Sequence, residues 1–442
     1  MNKQKIGYIL LTVTVVIIIL VAGGYQLPKY ASRLTYLAVL AVVDILYWVS
    51  IRPAFTKRFI GLFAIAYWLP MFMLMVFFIA GLFAPYTDWY PFLRIYFPGI
   101  LLILLIGKGF FLSVLFLGDF VVTPVWVIKK LLGSGKAKLK WERPKMVLFL
   151  AAGTASFFML LYVSGMIFWV NNYKLTTTEI QVDNLPEAFD GYRIIQISDI
   201  HLGSFINNKS LQEIIKITND QNPDLILYTG DLLNFTTDEA LPFEEDMKIF
   251  KAADGIFAIL GNHDYGEYRQ WDSPEAKAMN DNALFDFYKR IGWKLLRNQN
   301  ALIQRDSVSL AVIGVENWSV TKRFGKKGDL KKAISGAESA QYKILMSHDP
   351  SHWDGEVNKA YPQIGLTLSG HTHAFQLAIE AGSVKWSPAS LLFKQWAGLY
   401  EKVHENGGKQ FLYVNRGAGY LGYPGRIGTR PEITLLILRK AR

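Results

Sequence analysis

The run Arg193-Ile194-Ile195-Gln196-Ile197-Ser198, followed at once by Asp199-Ile200-His201, decides how the carboxyl-terminal half of this chain is read. A short β-branched run reads as a buried strand. The polar break after it leaves an Asp and a His two residues apart, a spacing that in extended backbone puts both side chains on one face. The same arrangement recurs outward along the chain. Asp224–Thr229 is strand-like and ends in Gly230-Asp231; Gly255–Leu260 ends in Gly261-Asn262-His263-Asp264. Tyr342–Met346 ends in Ser347-His348-Asp349, and Gly365–Leu368 leads into Gly370-His371-Thr372-His373. Helices are expected between them. Ser210–Asn222 has Ser210 as N-cap, Glu213 in capping-box position and apolar residues at Leu211, Ile214, Ile215 and Thr218. Glu239–Lys251 also reads as helical, as does Ser273–Arg290 with Pro274 in its first turn. Ala301–Gln304, Ser309–Val315, Phe411–Asn415 and Ile433–Leu438 are further strand-like runs. This is an α/β pattern, and in layered α/β folds ligands sit at the carboxyl ends of strands. Any one phrase is ordinary turn chemistry, since Asp, Asn and Gly are common turn residues. Five in order, carrying five of the chain's seven histidines, are not.

The first half is different in kind. Hydrophobic residues make up 51% of the 442 residues and charged residues 19%, against roughly 45–50% and about 25% in soluble domains. Residues 1–170 hold 16 Lys and Arg but only Asp44, Asp88, Asp119 and Glu142 as acids, a net of +12; the remainder nets −1. The overall surplus of +11 therefore belongs to the apolar half, which argues against a nucleic-acid-binding domain. With no cysteine, disulfides, thiolate metal sites and a cysteine nucleophile are excluded. Five stretches are long and apolar enough to span a bilayer: Ile6–Val21, Leu34–Ile51, Phe59–Ala84, Ile95–Ile128 and Met146–Val170. Ile95–Ile128 is interrupted at Gly107-Lys108-Gly109 but reads as one kinked or extended helix. Aromatic residues cluster between spans, as in Asp88-Trp89-Tyr90-Pro91. Twelve loop Lys and Arg fall on one side of the resulting topology and three on the other, so the positive-inside rule places the amino terminus in the cytoplasm and residue 171 onward outside, in a multi-pass protein of the cytoplasmic membrane. Asp44, Lys108 and Asp119 are ionisable at or near membrane depth and are expected to pair or to reach the interface.

The ordered phrases resemble the five-block signature of the calcineurin-like metallophosphoesterase superfamily. Spacings of 32 residues from Asp199 to Asp231, 31 from Asp231 to Asn262 and 23 from His348 to His371 fit it. The resemblance covers Tyr192–Arg439 and includes Tyr413-Val414-Asn415-Arg416-Gly417 and Pro431-Glu432-Ile433-Thr434, which look like the membrane-anchored bacterial branch. One departure is local: Ala374-Phe375-Gln376 stands where that branch often carries Gly-Gly-Gln, which implies a more crowded, apolar pocket floor. The resemblance implies a four-layer αββα sandwich over 171–442 behind an α-helical transmembrane bundle over 1–170. It implies a phosphoester hydrolase with two divalent metals. Two cations about 3.5–4 Å apart need an anionic bridge, and Asp231 is the natural one. Site one is then Asp199, His201, Asp231 and His373; site two is Asp231, Asn262, His348 and His371. The mixed imidazole, carboxylate and amide set suits Mn²⁺, with Fe or Zn²⁺ as alternatives, better than Mg²⁺ or Ca²⁺. His263, beside a ligand but not one itself, is placed to protonate the leaving group, and Asp264 is expected to hold its tautomer.

The substrate is less legible. Arg416, Arg426 and Arg430 are candidate phosphate clamps, each equally readable as structural. Trp386–Tyr400 reads either as a membrane-dipping aromatic loop or as a buried hairpin or short helix. His352 and His404 read as surface or loop residues, with His352 near enough to His348 in sequence to support it. About twenty residues separate the last span from the first strand, which keeps the site near the membrane and favours a lipid or envelope phosphoester. The bilayer itself is the expected partner, and nucleic acid is not. The alternatives are a nucleotide–diacylglucosamine pyrophosphate hydrolase on the cytoplasmic face, and a sensor or transporter with a phosphoesterase-like ectodomain.

Overall fold

The computed structural model describes residues 31–441 except 56, 57, 133–142, 184, 383 and 406, and earlier in the chain residues 14, 16–18, 21 and 23. The chain forms two compact units, one of residues 1–85 and 100–160, the other of 86–99 and 161–442. Four helices among the described residues are long and apolar enough to cross a membrane. They are α1 (Ala31–Ile51), α2 (Ile60–Phe83), α3 (Pro91–Leu132) and α4 (Lys145–Ser164), the last continuing as a π-helical turn over Gly165–Trp169. The expected first span, Ile6–Val21, lies largely outside the described residues, as does most of the basic stretch between Lys130 and Arg143. α3 runs unbroken through Gly107-Lys108-Gly109. At 1.5 Å per residue its length is about 63 Å, twice a bilayer's hydrocarbon. A Cβ at Gly107 would run into Met159, and one at Gly118 into Val147, so these glycines admit close packing of α3 on α4 instead of interrupting the helix. The ionisable groups pair internally. Lys108 Nζ meets Asp44 Oδ2 at 2.5 Å and donates to the Tyr67 carbonyl, and Arg143 forks onto Asp119 at 2.6–2.7 Å.

The unit of residues 86–99 and 161–442 is built on two six-stranded sheets. Its strands are β1 (Lys174–Val182), β2 (Arg193–Ile197), β3 (Leu225–Tyr228), β4 (Ile256–Ala258), β5 (Lys294–Leu295), β6 (Gln299–Arg305), β7 (Val308–Gly314), β8 (Tyr342–Met346), β9 (Leu366–Ser369), β10 (Ile379–Ala381), β11 (Val384–Trp386), β12 (Gly398–Val403), β13 (Lys409–Val414) and β14 (Glu432–Lys440). One sheet has the order β1-β14-β2-β3-β4-β5, the other β12-β13-β9-β8-β7-β6; β10 and β11 form a separate hairpin. Each central strand alternates between two cores, as a pleated chain buried on both faces must. Ile194, Leu225, Leu227 and Phe257 face the second sheet's Leu310, Val312, Ile344, Met346, Leu366 and Leu368. Their neighbours Ile195, Ile197, Ile226 and Tyr228 face outward onto helices α5 (Lys209–Asn219) and α6 (Pro274–Arg290). On the other side Ala311, Ile313, Leu345 and Leu412 pack under Leu330, Ala333, Trp353 and Val357. The four-layer expectation thus describes the molecule.

Local expectations fail where side chains are recruited elsewhere. α5 begins one residue early, at Lys209, without a capping box, because the Ser210 hydroxyl donates to Asn171 Oδ1. The expected helix over Glu239–Lys251 is broken into turns at Leu241–Phe243 and a four-residue helix at Glu244–Met247. Pro242 lacks an amide donor, and Glu239 turns its carboxylate back onto the preceding loop. Tyr86–Gly99, which precedes the boundary expected at residue 170, groups with residues 161–442. A Cβ on Gly99 would strike Pro424, and one on Gly165 would strike Arg426 and Tyr423. The segments at both helix ends are therefore seated on the loop Tyr423–Ile427.

The three candidate clamp arginines hold this carboxyl-terminal region together. Arg426 is fully buried and donates from Nη2 to the carbonyls of Arg416, Gly417 and Gly419 at 2.7–2.9 Å. Arg430 pins the entry to β1 through the Asn172 and Tyr173 carbonyls. Arg416 bridges Glu380 and the buried Glu432 at 2.5 and 2.8 Å. Burial would raise the Glu432 carboxyl, but Arg416 and the Tyr413 hydroxyl hold it below its ordinary value. The group therefore contributes stability above the unfolded Glu pKa and loses it as pH falls through the lower folded one. Arg416→Met should remove about 3–5 kcal/mol by leaving a buried carboxylate uncompensated, and adding Glu432→Gln should restore most of the loss. Thermal unfolding of the detergent-solubilised chain measures both; an unchanged midpoint in Arg416→Met contradicts the assignment.

Candidate metal centre

The ligand-bearing residues converge because every one follows a strand end. Asp199 follows β2, Asp231 follows β3 and Asn262 follows β4 in the first sheet; His348 follows β8, and His371 and His373 follow β9 in the second. Asp199, His201, Asp231, His371 and His373 all have φ between 48° and 67°. Left-handed backbone in non-glycine residues costs on the order of 1–3 kcal/mol each and persists where the surroundings impose it, commonly at functional sites. The strain continues through Ala374, Phe375 and Gln376. Here the crowding expected from this Gly-Gly replacement does not arise in the cavity. Ala374 is buried in a separate cluster with Phe393 and Trp396, and Phe375 is exposed. The aromatic stretch after it is divided, with Phe393 and Trp396 buried and Leu391 and Leu392 exposed.

Two triads result: Asp199, His201 and His373, and Asp231, His348 and His371, each with its ligand atoms within 4.8 Å of one another. His201 turns Nδ1 to the Leu233 carbonyl, and His348 turns Nδ1 to that of Thr229, at 3.0 and 2.7 Å. These bonds fix both Nε2 atoms toward the centre, the usual way a ligating imidazole is oriented. There the His201 and His373 Nε2 atoms lie 3.1 Å apart, and His348 Nε2 lies 3.3 Å from His371 Nδ1. Asp231 Oδ2 is 3.2 Å from His348 Nε2 and 3.7 Å from His201 Nε2, so one oxygen faces both triads. Its Oδ1 accepts from the His263 amide. Four ligands at about 2.0–2.1 Å around one cation stand roughly 3.3 Å apart, and the donor pairs match. Asn262 Oδ1 is buried with no hydrogen-bond partner while Nδ2 donates to the hydroxyl of Tyr268, leaving the oxygen free to ligate. These residues fit a pair of divalent cations. Burial takes the His201 imidazole down to about 3 and lowers His371 as well, which keeps both in the neutral form that ligates. Burial works against Asp231 and Asp199, yet the facing histidines hold both carboxyls low.

His263 stands beside the triads, its ring 5.1 Å from that of His201 and 4.3 Å from that of Tyr268. Its tautomer is held by the Asn234 carbonyl, 2.9 Å from Nδ1, and not by Asp264 as expected. Asp264 is instead a buried brace: its carboxylate accepts from the amides of Asp231, Leu232, Leu233 and Gly261. Gly261 is needed there, since a Cβ would overlap the Asp231 carboxylate. His352 is also buried, contrary to expectation, hydrogen-bonded to Ser347 Oγ and Glu356 and stacked on Trp318. His404 closes a hairpin against Gln410.

A cavity of about 370 Å³ opens over the triads, lined by Asp231, Asn262, His263, His371 and His373 on one side. Tyr86, Arg94, Ile95, Phe235, Tyr268, Arg323 and Phe324 form much of the rest. Arg416, Arg426 and Arg430 are absent from that lining. The cationic residues on the cavity are Arg94 and Arg323, neither of which the sequence singled out. Arg94 stands immediately before the apolar stretch Ile95–Ile128, where the sequence reads it only as a loop cation beside the interfacial aromatics.

Residues 192–375 match the sequence profile of calcineurin-like phosphoesterases. The chain is 32% identical over 292 residues to a zebrafish (Danio rerio) protein described as a transmembrane protein with metallophosphoesterase domain, and 28% identical over 295 residues to its bovine (Bos taurus) namesake. Each alignment covers 64% of this chain and 61% of the relative, so the chain spans less than two thirds of their lengths. An uncharacterized metallophosphoesterase of Bacillus subtilis, YkuE, is 27% identical over 61% of this chain and 88% of its own. With the four apolar helices, these likenesses make the chain a membrane protein. The strand-end ligand set, the paired sheets and the profile match agree, and residues 192–375 of this chain form a domain like those of the calcineurin-like phosphoesterases.

Proposed function

We propose that this protein is a dinuclear-metal-dependent phosphoesterase that cleaves a phosphate mono- or diester at the membrane surface. The observation that carries it is Asp231 Oδ2 standing between two histidine–carboxylate triads, with His263 beside them. When bound, two divalent cations supply a hydroxide at neutral pH and positive charge for the phosphoryl oxygens. A donor set of nitrogen and oxygen without sulfur favours Mn²⁺, with Fe or Zn²⁺ as alternatives. With Nδ1–H donated to the Asn234 carbonyl, His263 presents Nε2 to the cavity and, in its doubly protonated form, passes the Nε2 proton to the leaving oxygen and returns to the neutral ring. Tyr268 orients the Asn262 amide, and Arg323 at the cavity edge attracts the phosphate.

Packing of residues 86–99 and 161–442 in one unit means that an even number of crossings separates Gly99 from Leu161, which supports one crossing by α3 and one by α4. The basic Lys129–Lys145 stretch then lies on the opposite side, and the positive-inside rule makes that side cytoplasmic. This supports an extracytoplasmic catalytic unit in the cytoplasmic membrane. Tyr90, Phe92 and Leu93, next to the cavity-lining Arg94, are 74, 53 and 49% exposed, apolar surface suited to the interfacial zone. That favours a lipid or lipid-linked phosphoester over a soluble one. A nucleotide–diacylglucosamine substrate would need the opposite orientation. A sensor or transporter role has no lost ligand position to support it.

Three outcomes are expected. Full-length protein in detergent should hydrolyse an aryl phosphoester with Mn²⁺ and stop on chelation; Asp231→Asn should lose both metals by elemental analysis, whereas Asn262→Ala should weaken one. Full activity in Asp231→Asn would refute the bridge. His263→Ala should keep its metals and lower kcat by roughly 10²–10⁴, less for substrates with good leaving groups. Finally, a reporter active only outside the cytoplasm should be active when fused after Arg442 and silent near Lys136; the converse pattern reverses the orientation and makes the cytoplasmic-leaflet substrate the better reading.

A further inference from the structure

Arg94 lies in the first turn of α3, in the sequence half expected to do no more than cross the bilayer. It is 9% exposed and engaged by residues of its own unit. Nη1 donates to the Thr87 carbonyl at 3.0 Å and pairs with Glu239 Oε1 at 3.1 Å; Nη2 donates to the Gly203 carbonyl at 3.1 Å. The guanidinium lies over the Phe235 ring, which also meets the edge of Tyr86. Gly203 is two residues past His201. Glu239 Oε2 accepts from the amides of Asn234 and Phe235 at 2.6 and 3.1 Å. The Asn234 carbonyl, in turn, is the group that holds His263 Nδ1. One cation therefore ties the loop after β2 to the turn that orients the histidine beside the triads.

The physical dependence runs one way. Glu239 is buried, and its carboxylate is drawn up by burial and down by Arg94 and the loop amides. Without the guanidinium that buried carboxyl loses the cation that holds it in place, and the two amides that lean on it lose a fixed acceptor. The Asn234 carbonyl then loses its fixed position, and the His263 ring loses the bond that sets its rotation. Proton delivery needs a donor within about 3 Å of the leaving oxygen, and a misplacement of about 1 Å can cost 10²-fold.

We propose that Arg94 is a positioning residue for His263, acting through Glu239 and Asn234, so that the start of a membrane-spanning helix completes the catalytic site. This rests on the reading of His263 as the leaving-group acid. It makes a segment from the amino-terminal half of the sequence, Tyr86–Gly99, a working part of the site it folds with.

The test uses full-length, Mn²⁺-loaded protein in detergent, with an alkyl phosphoester and a nitrophenyl phosphoester. Arg94→Gln should lower kcat about 10- to 100-fold on the alkyl ester and less than about threefold on the nitrophenyl ester, with metal content unchanged. Adding His263→Ala should cause no further loss on the alkyl ester beyond that of His263→Ala alone. Glu239→Gln, which keeps the side-chain volume, should give the same selective pattern and serves if Arg94→Gln does not accumulate. Arg94→Lys should recover part of the alkyl-ester rate. Equal losses on both esters, multiplicative losses in the double variant, or loss of metal would overturn the proposal. Leaving-group dependence in His263→Ala with none in Arg94→Gln or Glu239→Gln overturns it alone; no such dependence in His263→Ala removes the acid assignment beneath it.

Discussion

The Asp264 carboxylate, buried and shared among four backbone amides, is the interaction on which the centre depends. Three of those amides belong to the loop after β3 and one to the loop after β4, so a single side chain sets the distance between Asp231 and Asn262. The left-handed backbone at Asp231 is tolerable because its amide is satisfied in that conformation. Burial and the facing Asp231 push the Asp264 carboxyl up, yet its two oxygens take all four amides, and removing it would strand four donors in a dry interior. The same loop offers the Leu233 carbonyl to His201 and the Asn234 carbonyl to His263. The order of the ligands is thus inherited from backbone held by one acid.

A second constraint is the separation of the sheets. One triad takes His373 from the second sheet and Asp199 and His201 from the first; the other takes Asp231 from the first and His348 and His371 from the second. Neither sheet alone supplies a complete shell. The interleaved layer of Ile194, Leu225, Leu227, Ile344, Leu366 and Leu368 fixes how closely the strand ends approach. Close-packed interiors yield little to a change of one methylene, so the apolar layer acts as the ruler for the polar site above it.

The membrane half contributes more than hydrophobic length. Its own ion pairs, Asp44 with Lys108 and Asp119 with Arg143, satisfy charges that hydrocarbon could not solvate. The segments at the ends of α3 and α4 fold with the catalytic unit, where Gly99 and Gly165 permit close approach to the loop Tyr423–Ile427. Arg426, itself in that loop, ties it to the carbonyls of Arg416, Gly417 and Gly419. A residue that looks like a phosphate clamp in sequence is thus consumed by backbone that would otherwise be buried without donors.

Much of this was legible in the residues alone. Strands are short and buried on both faces, so their hydrophobic runs stand out, and the polar breaks after them expose the ligand set from Asp199 to His373 in order. Apolar length identified α1 to α4 because a bilayer demands it. Roles that depend on what lies opposite were not legible. Asp264 braces amides far from it in sequence, His263 is held by Asn234, and Glu239 leaves its expected helix to meet Arg94. Arg416, Arg426 and Arg430 turn inward, while Arg94 and Arg323 reach the cavity. Sequence determines which groups can bind metal, cross a membrane or carry charge, because those are properties of side chains and their periodicity. Tertiary structure alone decides which buried charge meets which partner, because that choice is made by long-range packing, where desolvation leaves each ionised group with the one neighbour that satisfies it.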